Sequence, residues 1–445
     1  MVILGLGSNL GDRLENCRNA VAALKKVPGI VIQQISPLYL SDALLPENGS
    51  AQWGLPYFNC ALRCEISLTP HELLQKIKLI ETELGRQPAE DWAPRPIDID
   101  ILAWDNLIFH DEKLQIPHEE LLSRPFALWP LADLVPRWIH PLKNATAEQL
   151  SAEWGSRFNG QAPLHTRQIL HRIDTSRLVG ILNTTPDSFS DGGKFQQIEY
   201  AVQHANKLVE DGAEIIDIGA EASGPSAKPL TAEEEWQRLE PILAEILAQR
   251  SEWLLKPKIS IDTRRSEIAK KALALGVDWI NDVSGLTQPD MREIIANSHC
   301  NIVIMHQLGI PANPNITLPL ASDPVALVYE WAEQTLNSLE KSAINLNRVI
   351  LDLGIGFGKT ASQSFELIKH IAAFHPLKTP LLIGHSRKSF LTLFTDKPPT
   401  ERDIETQALS LFLSNQNTDY LRLHNIEHCS RSFNIVGHVC PTYFL

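Results

Sequence analysis

A chain of 445 residues exceeds a usual single domain, so two compact units are the default reading. Its 44% hydrophobic and 21% charged content is ordinary for a globular protein, and a formal net charge of -13 argues against a general nucleic-acid or membrane-surface binder, which needs basic patches. The six cysteines (Cys17, Cys60, Cys64, Cys300, Cys429, Cys440) lack paired metal-ligand spacing, and no run is long and apolar enough to span a bilayer, so a reduced, cytoplasmic protein is expected.

The opening "MVILGLGSNLGDR" has no basic region before its short apolar run. It reads as a strand turning at Gly11-Asp12, not as a signal peptide. A helix over 13–27, a strand in "GIVIQQISPLYL", a polar loop "SDALLPENGSAQWG" and a strand "YFNCALRCEI" follow. The spacing of Leu73, Leu74, Ile77, Ile80 and Leu84 predicts an amphipathic helix over 70–85. Next comes "APRPIDIDIL", where an extended strand puts Asp98 and Asp100 on one face and Ile97, Ile99 and Ile101 on the other. Two like charges on one face repel, and burying either is costly without compensation. Divalent cations with oxygen ligands would compensate, as would nearby arginines such as Arg95; a solvated strand face is the third reading. The mixed order predicts an α+β sandwich with a mostly antiparallel sheet over 1–158. Residues 159–176, without sustained periodicity, are expected as a linker with one short helix or strand.

From 177 to 445 the pattern is regular. Eight apolar runs, "LVGILN", "AEIIDIGAE", "KISID", "VDWIND", "NIVIMH", "RVILDLG", "PLLIGHS" and "YLRLH", have helix-like segments between most of them, for example 196–211, 232–248 and 323–342. Eight such units predict a (β/α)8 barrel. Each run ends in polar groups: Asn183, Glu221, Asp262, Asn281 with Asp282, His306, Asp352, Ser386 and His424. In such barrels the C-terminal strand ends build the active site. The tail after His424, with Pro441 near its end, makes a poor closing helix.

Taken together, "GLGSNLGDR", "YFNCAL", "IETELGR", "WAPRPIDIDIL" and "IPHEELLSRPFALWPL" resemble 6-hydroxymethyl-7,8-dihydropterin pyrophosphokinase over about residues 1–155. That family has a ferredoxin-like α+β fold and moves pyrophosphate from ATP to a pterin alcohol. The resemblance implies two Mg²⁺ ions on Asp98 and Asp100, with Arg86, Arg95, His118 and Arg124 at ATP. Tyr57, Asn59 and Phe126 would place the pterin, Glu81 matches a further site position, and the loop over 42–56 matches a mobile lid. Pro88 stands where the family often has a second arginine.

Residues 177–426 resemble dihydropteroate synthase, through "LVGILNTTPDSFSDGGKF", "IDIGAEASGPSA", "SIDT", "INDVSG", "DLGIGFGK", "GHSRKSFL" and "RLHN". That family joins a dihydropterin pyrophosphate to p-aminobenzoate, giving 7,8-dihydropteroate and releasing pyrophosphate. By resemblance Asp262, Asn281, Asp352 and Lys388 would bind the pterin. Asn183, Ser223, Arg422 and His424 would hold the pyrophosphate, with one Mg²⁺ beside Asn183, while Ser223, Pro225, Lys388 and Ser389 would form the p-aminobenzoate pocket. Ser389 also reads as a helix N-cap, and Arg422 and His424, on one strand face, are expected to grip one anion together. The departures are Gly224 in place of an arginine, Leu353 of a proline, Asn425 of an aspartate and Thr184 of a valine. The implied protein is a bifunctional enzyme of folate biosynthesis acting on ATP, 6-hydroxymethyl-7,8-dihydropterin and p-aminobenzoate, with room for a homodimer through the barrel. A half that binds without catalysing, and a pterin-dependent methyltransferase barrel, stay open as alternatives.

Overall fold

In the computed structural model, which describes residues 1–45, 49–87, 92–160, 162–169, 171–184, 194–221 and 230–445, the first strand β1 (Val2–Ser8) does turn at Gly11, whose φ of 70° suits glycine. Asp12 caps α1 (Arg13–Lys25) by accepting from the Glu15 N–H. The single strand expected around residues 29–40 is divided: β2 (Ile30–Ile35) and β3 (Tyr39–Ser41) flank Pro37, which has no N–H for a ladder. Both pair antiparallel with β4 (Tyr57–Ile66). A capping box of Thr69 and Glu72 starts α2 (Pro70–Glu83), and β5 (Asp98–Trp104) follows. A small hairpin, β6 (Phe109–His110) with β7 (Gln115–Ile116), leads to α3 (Pro125–Leu134) and α4 (Ala147–Ala152).

The sheet runs β5-β1-β4-β3, with β2 also on β4. One face carries Ile3, Ala61 and Leu102, buried under Leu121, Leu128 and Leu131. The next residues of β1 on that face are Gly5 and Gly7, where the apolar cover gives way to a groove. The segment expected as a linker supplies β8 (Arg167–Gln168), which pairs with β3. Beyond it Arg172 forms a buried ion pair with Asp174 at 2.6 Å and donates to the Ile35 carbonyl at 2.8 Å. Strand β8 is the one short strand that the reading of 159–176 allowed for, and it covers the edge of β3. The chain divides into Met1–Asp174 with Phe433–Leu445, and Thr175–Ser432. The break at 174/175 falls inside the expected 159–176 segment, most of which belongs to the first unit, while the second unit ends at Ser432 and not at 445.

In the second unit all eight predicted runs are strands: β9 (Arg177–Asn183), β10 (Ile215–Gly219), β11 (Lys258–Asp262), β12 (Trp279–Asp282), β13 (Asn301–Met305), β14 (Val349–Asp352), β15 (Leu381–Ile383) and β16 (Tyr420–Leu423). They are parallel and close into a barrel, β16 pairing with β9. Helices α5 (Lys194–Glu210), α6 (Ala232–Gln249), α7 (Ser266–Leu275), α8 (Pro289–Ala296), α9 (Pro324–Lys341), α10 (Ala361–Lys369) and α11 (Asp403–Asn415) alternate with them. Val179, Ile215, Trp279, Val303, Ile350, Leu382 and Tyr420 fill the interior as one packed cluster. The tail corrects its reading: α12 (Ile426–Val439) is a full helix, because Pro441 lies beyond its last turn and removes no helical hydrogen bond. Among the described residues no helix is long and apolar enough to cross a membrane.

Candidate active sites

In the N-terminal unit, register builds the site. Gly7 pairs with Asp98 on one side and Asn59 on the other, and Gly5 pairs with Asp100 and Ala61. Paired residues share a sheet face, so two glycines form a floor between the carboxylates and Asn59. A Cβ on Gly7 would come within 3.1 Å of Asn59 Oδ1, and one on Gly5 within 3.0 Å of Leu102. The register shift between Ile3 and Leu4 puts a bulge in β5 at Leu102, just past the acidic pair. The resulting cavity of about 360 Å³ is lined by Tyr57, Asn59, Arg95, Asp98, Asp100, His118, Arg124 and Phe126, the expected residues, and also by Trp92.

The two carboxylates differ. Asp98 accepts from Arg86 Nη1 at 2.6 Å and Arg95 Nη1 at 3.1 Å. Burial pushes its pKa up, but Arg86, Arg95 and Lys78 outweigh burial and hold it below its ordinary value. No ion pair among the described residues reaches Asp100, and burial, then Asp98, pushes it up to about 7. The arginine reading of the acidic pair thus holds for Asp98 alone. Arg86 also pairs with buried Glu81 at 2.6 Å, and Glu81 accepts the Ile99 N–H at 2.9 Å, which fixes this edge of β5. Arg86 therefore stands behind Asp98 and is not among the cavity-lining residues. His118 Nδ1 accepts the Glu120 N–H at 3.2 Å; burial, then Arg124, lowers its pKa, so the ring is neutral. Arg124 pairs with Glu120. Asn59 gives its amide to Ser41 Oγ at 2.9 Å, leaving Oδ1 beside Gly7. Two carboxylates facing one cavity, one of them short of positive charge, suit a hard dication that fills its remaining positions with water and phosphate oxygens.

In the barrel, the strand ends bring Asp262, Asn281, Asp352 and Arg422 together, with Lys388 following β15. The centre of this group is Asp217 in β10, which sequence reading passed over. Its carboxylate accepts from Ser260 Oγ at 2.6 Å, Asn281 Nδ2 at 3.0 Å and Arg422 Nε at 2.6 Å. Arg422 Nη2 reaches Asp262 at 2.9 Å. Burial pushes Asp262 up to about 7 against the pull of Arg422. Burial also raises Asp352, which accepts the Gly354 N–H at 2.8 Å. Lys388 Nζ donates to the Ile355 carbonyl at 2.6 Å and lies 4.8 Å from the Phe357 ring centre; burial pulls its pKa down to about 8. A Cβ on Gly384 would lie in ordinary contact with Lys388 Nζ at 3.6 Å and Asp352 Oδ2 at 3.7 Å, so Gly384 borders the same site.

Other expected residues are placed differently. Arg422 and His424 have different partners: His424 Nδ1 is bonded to Ser386 Oγ at 3.0 Å, and Arg422 is bonded to Asp217 and Asp262. His424 follows β16, so its ring is not held to the strand alternation that the expectation assumed. Burial, then Arg387 and Arg422, lowers its pKa to about 4. Asn183, at the end of β9, is exposed. Ser389 is no N-cap; it is the exposed first residue of a short 3-10 turn whose cap position is Lys388. Glu221 is bound by Arg264 and Arg265, whose hydrogen bonds overcome burial and lower it to about 2. Pro88, Ser223, Gly224 and Pro225 lie outside the described residues, as do positions 46–48 of the loop over 42–56 and 185–193 of the loop after β9.

Comparison with known proteins agrees with this geometry. Residues 3–136 match the family described as 7,8-dihydro-6-hydroxymethylpterin-pyrophosphokinase, and residues 179–424 match the pterin binding enzyme family. The folate synthesis bifunctional protein of Chlamydia muridarum is 39% identical over 438 residues, covering 96% of this chain and 95% of that one. Dihydropteroate synthase from Anaplasma phagocytophilum, solved with bound 6-hydroxymethylpterin-monophosphate, superposes with a TM-score of 0.54 at 37% identity, over 60% of this chain and 99% of that one. The Xanthomonas albilineans synthase with 4-aminobenzoic acid gives 0.55 at 32% identity, over 60% and 93%. The chain belongs to the bifunctional folate-synthesis family, with a pyrophosphokinase in its N-terminal unit and a dihydropteroate synthase in its barrel.

Proposed function

We propose that the N-terminal cavity transfers pyrophosphate from MgATP to 6-hydroxymethyl-7,8-dihydropterin, and that the barrel condenses the resulting dihydropterin pyrophosphate with p-aminobenzoate. The observation that carries the first assignment is the placement of Asp98 and Asp100 across a glycine floor from Asn59 in one cavity. Two Mg²⁺ ions would be held by Asp98 and Asp100, where they would shield charge on the transferring phosphates. Arg95, Arg124 and His118 line the same cavity and would contact ATP, with Arg86 fixing Asp98. The neutral His118 ring is suited to hydrogen bonding with little charge cost. Asn59 would read the pterin edge, with Tyr57 and Phe126 against its rings.

In the barrel the pterin's amino and ring N–H groups would donate to Asp262 and Asp352 and to the Asn281 oxygen. Asp217 takes the Asn281 amide N–H, so that oxygen is the atom left for the substrate. Lys388 would contact the ring acceptors. The pyrophosphate would lie toward Asn183, His424 and the remaining Nη1 of Arg422, whose Nε and Nη2 serve Asp217 and Asp262. A single Mg²⁺ near Asn183 would draw its other ligands from phosphate and water, since one amide oxygen is a thin donor set. Ser223, Pro225 and Ser389 stay assigned to the p-aminobenzoate pocket by resemblance alone. The stabilised pyrophosphate leaves, and the neutral arylamine attacks the delocalised pterin cation; this chain's side chains orient and stabilise.

The test is one incubation with 6-hydroxymethyl-7,8-dihydropterin, MgATP and p-aminobenzoate, measuring AMP and dihydropteroate. Both products should form, and Asp98→Ala/Asp100→Ala should make dihydropteroate only from supplied dihydropterin pyrophosphate. AMP without dihydropteroate would remove the barrel assignment, and no AMP from folded protein would remove the first.

A further inference from the structure

Lys359, at the end of the turn after β14, is 7% exposed, and the chemistry above makes no use of it. An ammonium group has three hydrogens to give and is costly to bury unless all are bonded. Lys359 Nζ has three partners: His306 Nδ1 at 2.8 Å, the Gly354 carbonyl at 3.0 Å and the Phe357 carbonyl at 2.9 Å. The lysine thus ties the end of β13 to both arms of the 353–358 turn.

That turn touches the pterin-binding groups at three places. The Gly354 N–H donates to Asp352, the Ile355 carbonyl accepts from Lys388 Nζ, and the Phe357 ring lies beside the same ammonium. Its backbone is pressed onto the β13 end without room for side chains. Gly354 and Gly358 both have φ of 66°, and a Cβ would fall 1.8 Å from the His306 carbonyl oxygen and 2.6 Å from Leu308. Close backbone packing fixes where the turn lies; it leaves the direction of the Ile355 carbonyl to be set by the hydrogen bonds of its neighbours. Lys359 supplies two of these, on either side of residue 355.

We propose that Lys359 is a positioning residue for the synthase reaction, holding the 353–358 turn so that Lys388 presents its ammonium group to the pterin. The inference rests on the assignment of Lys388 to pterin binding. Lys359 touches no substrate; it acts through Lys388, and a double-mutant cycle measures that dependence.

The experiment is synthase kinetics on the full chain with dihydropterin pyrophosphate and p-aminobenzoate, comparing wild type, Lys359→Met, Lys359→Gln, Lys388→Met and the Lys359→Met/Lys388→Met pair. Lys359→Met should lower kcat/KM for the pterin substrate about 30-fold, and Lys359→Gln, which keeps two N–H donors, should stay within about fivefold of wild type. In the Lys388→Met background the Lys359→Met loss should shrink to less than about twofold. Additive losses, or no loss in Lys359→Met, would overturn the proposal. If the Met variant does not fold, the Gln variant carries the same cycle, and a loss that persists without Lys388 overturns it equally. Failure of the underlying assignment is separate, because then Lys388→Met alone leaves kcat/KM unchanged.

Discussion

The N-terminal pocket and the barrel both bury carboxylates, and they balance them in opposite ways. In the barrel the compensating charge is built in: Arg422 spans Asp217 and Asp262, and Asp217 collects two further donors from Ser260 and Asn281. In the pocket the arginines stop at Asp98, and Asp100 has the groove's glycine floor for a neighbour. On the proposed function, the site that would take cations with its substrate leaves negative charge uncovered. A site that must accept hydrogen bonds from an uncharged heterocycle keeps its acceptors fixed and its net charge low.

The sharpest way to break this contrast is Asp100→Ala. If Asp100 holds metal as proposed, its loss should cut AMP formation by about a thousandfold or more, while dihydropteroate synthesis from supplied dihydropterin pyrophosphate stays at the wild-type rate. A loss below tenfold in the coupled assay would mean the pocket does not depend on that charge. Next in size is Asp262→Asn, expected to lower synthase kcat/KM about a hundredfold, because the amide would offer a donor where the pterin, bound as proposed, presents one. The same variant tests pH dependence. Burial holds Asp262 near about 7, and its acceptor form exists above that value. Wild-type kcat/KM should therefore fall as pH drops through 7, and the Asn variant should lose that limb. Asp217→Asn should cost about tenfold, through Arg422 and Asn281 and with no direct contact, visible mainly in KM.

These residues also mark what sequence could and could not convey. The barrel was legible because each strand is an apolar run ending in a polar residue at the mouth. Asp217 escaped for the opposite reason: it sits inside "EIIDIG", two residues short of its strand's end, and an acid within an apolar strand was weighed at Asp98 and Asp100 but not there. Lys359 closes a glycine-rich turn, and its bond to His306, 53 residues earlier, is a contact that the local sequence does not announce. His424 and Arg422 share a strand face in the alternation, and alternation does not convey that one is bonded to Ser386 and the other to Asp217 and Asp262. Gly5 and Gly7 belong to the motif "GLGSNLGDR". Their meaning, a floor two residues wide, required the register of β4 and β5 on either side.

The smallest expected effect separates the two acids of the pocket from each other and is one of stability. With divalent cations chelated at pH 8, Asp98→Asn should destabilise the N-terminal unit by about 1–3 kcal/mol, since it strands hydrogen bonds from two arginines. Asp100→Asn should stabilise it by about 1 kcal/mol. The signs follow from linkage. Asp98 is held below its ordinary value, so its contribution is present above the unfolded pKa and lost as pH falls through the folded one. Asp100 is raised to about 7, so the fold favours its neutral form; that preference is fully present below the unfolded pKa and gone as pH rises through 7, leaving a repelled charge that the amide removes. Urea unfolding of both variants, with kinase activity measured alongside, reads the outcome. If both substitutions destabilise equally, Asp100 is compensated by the protein itself and the contrast with the barrel disappears. If Asp100→Asn gains stability while losing activity, the charge is retained for the cation it binds and at the expense of the fold.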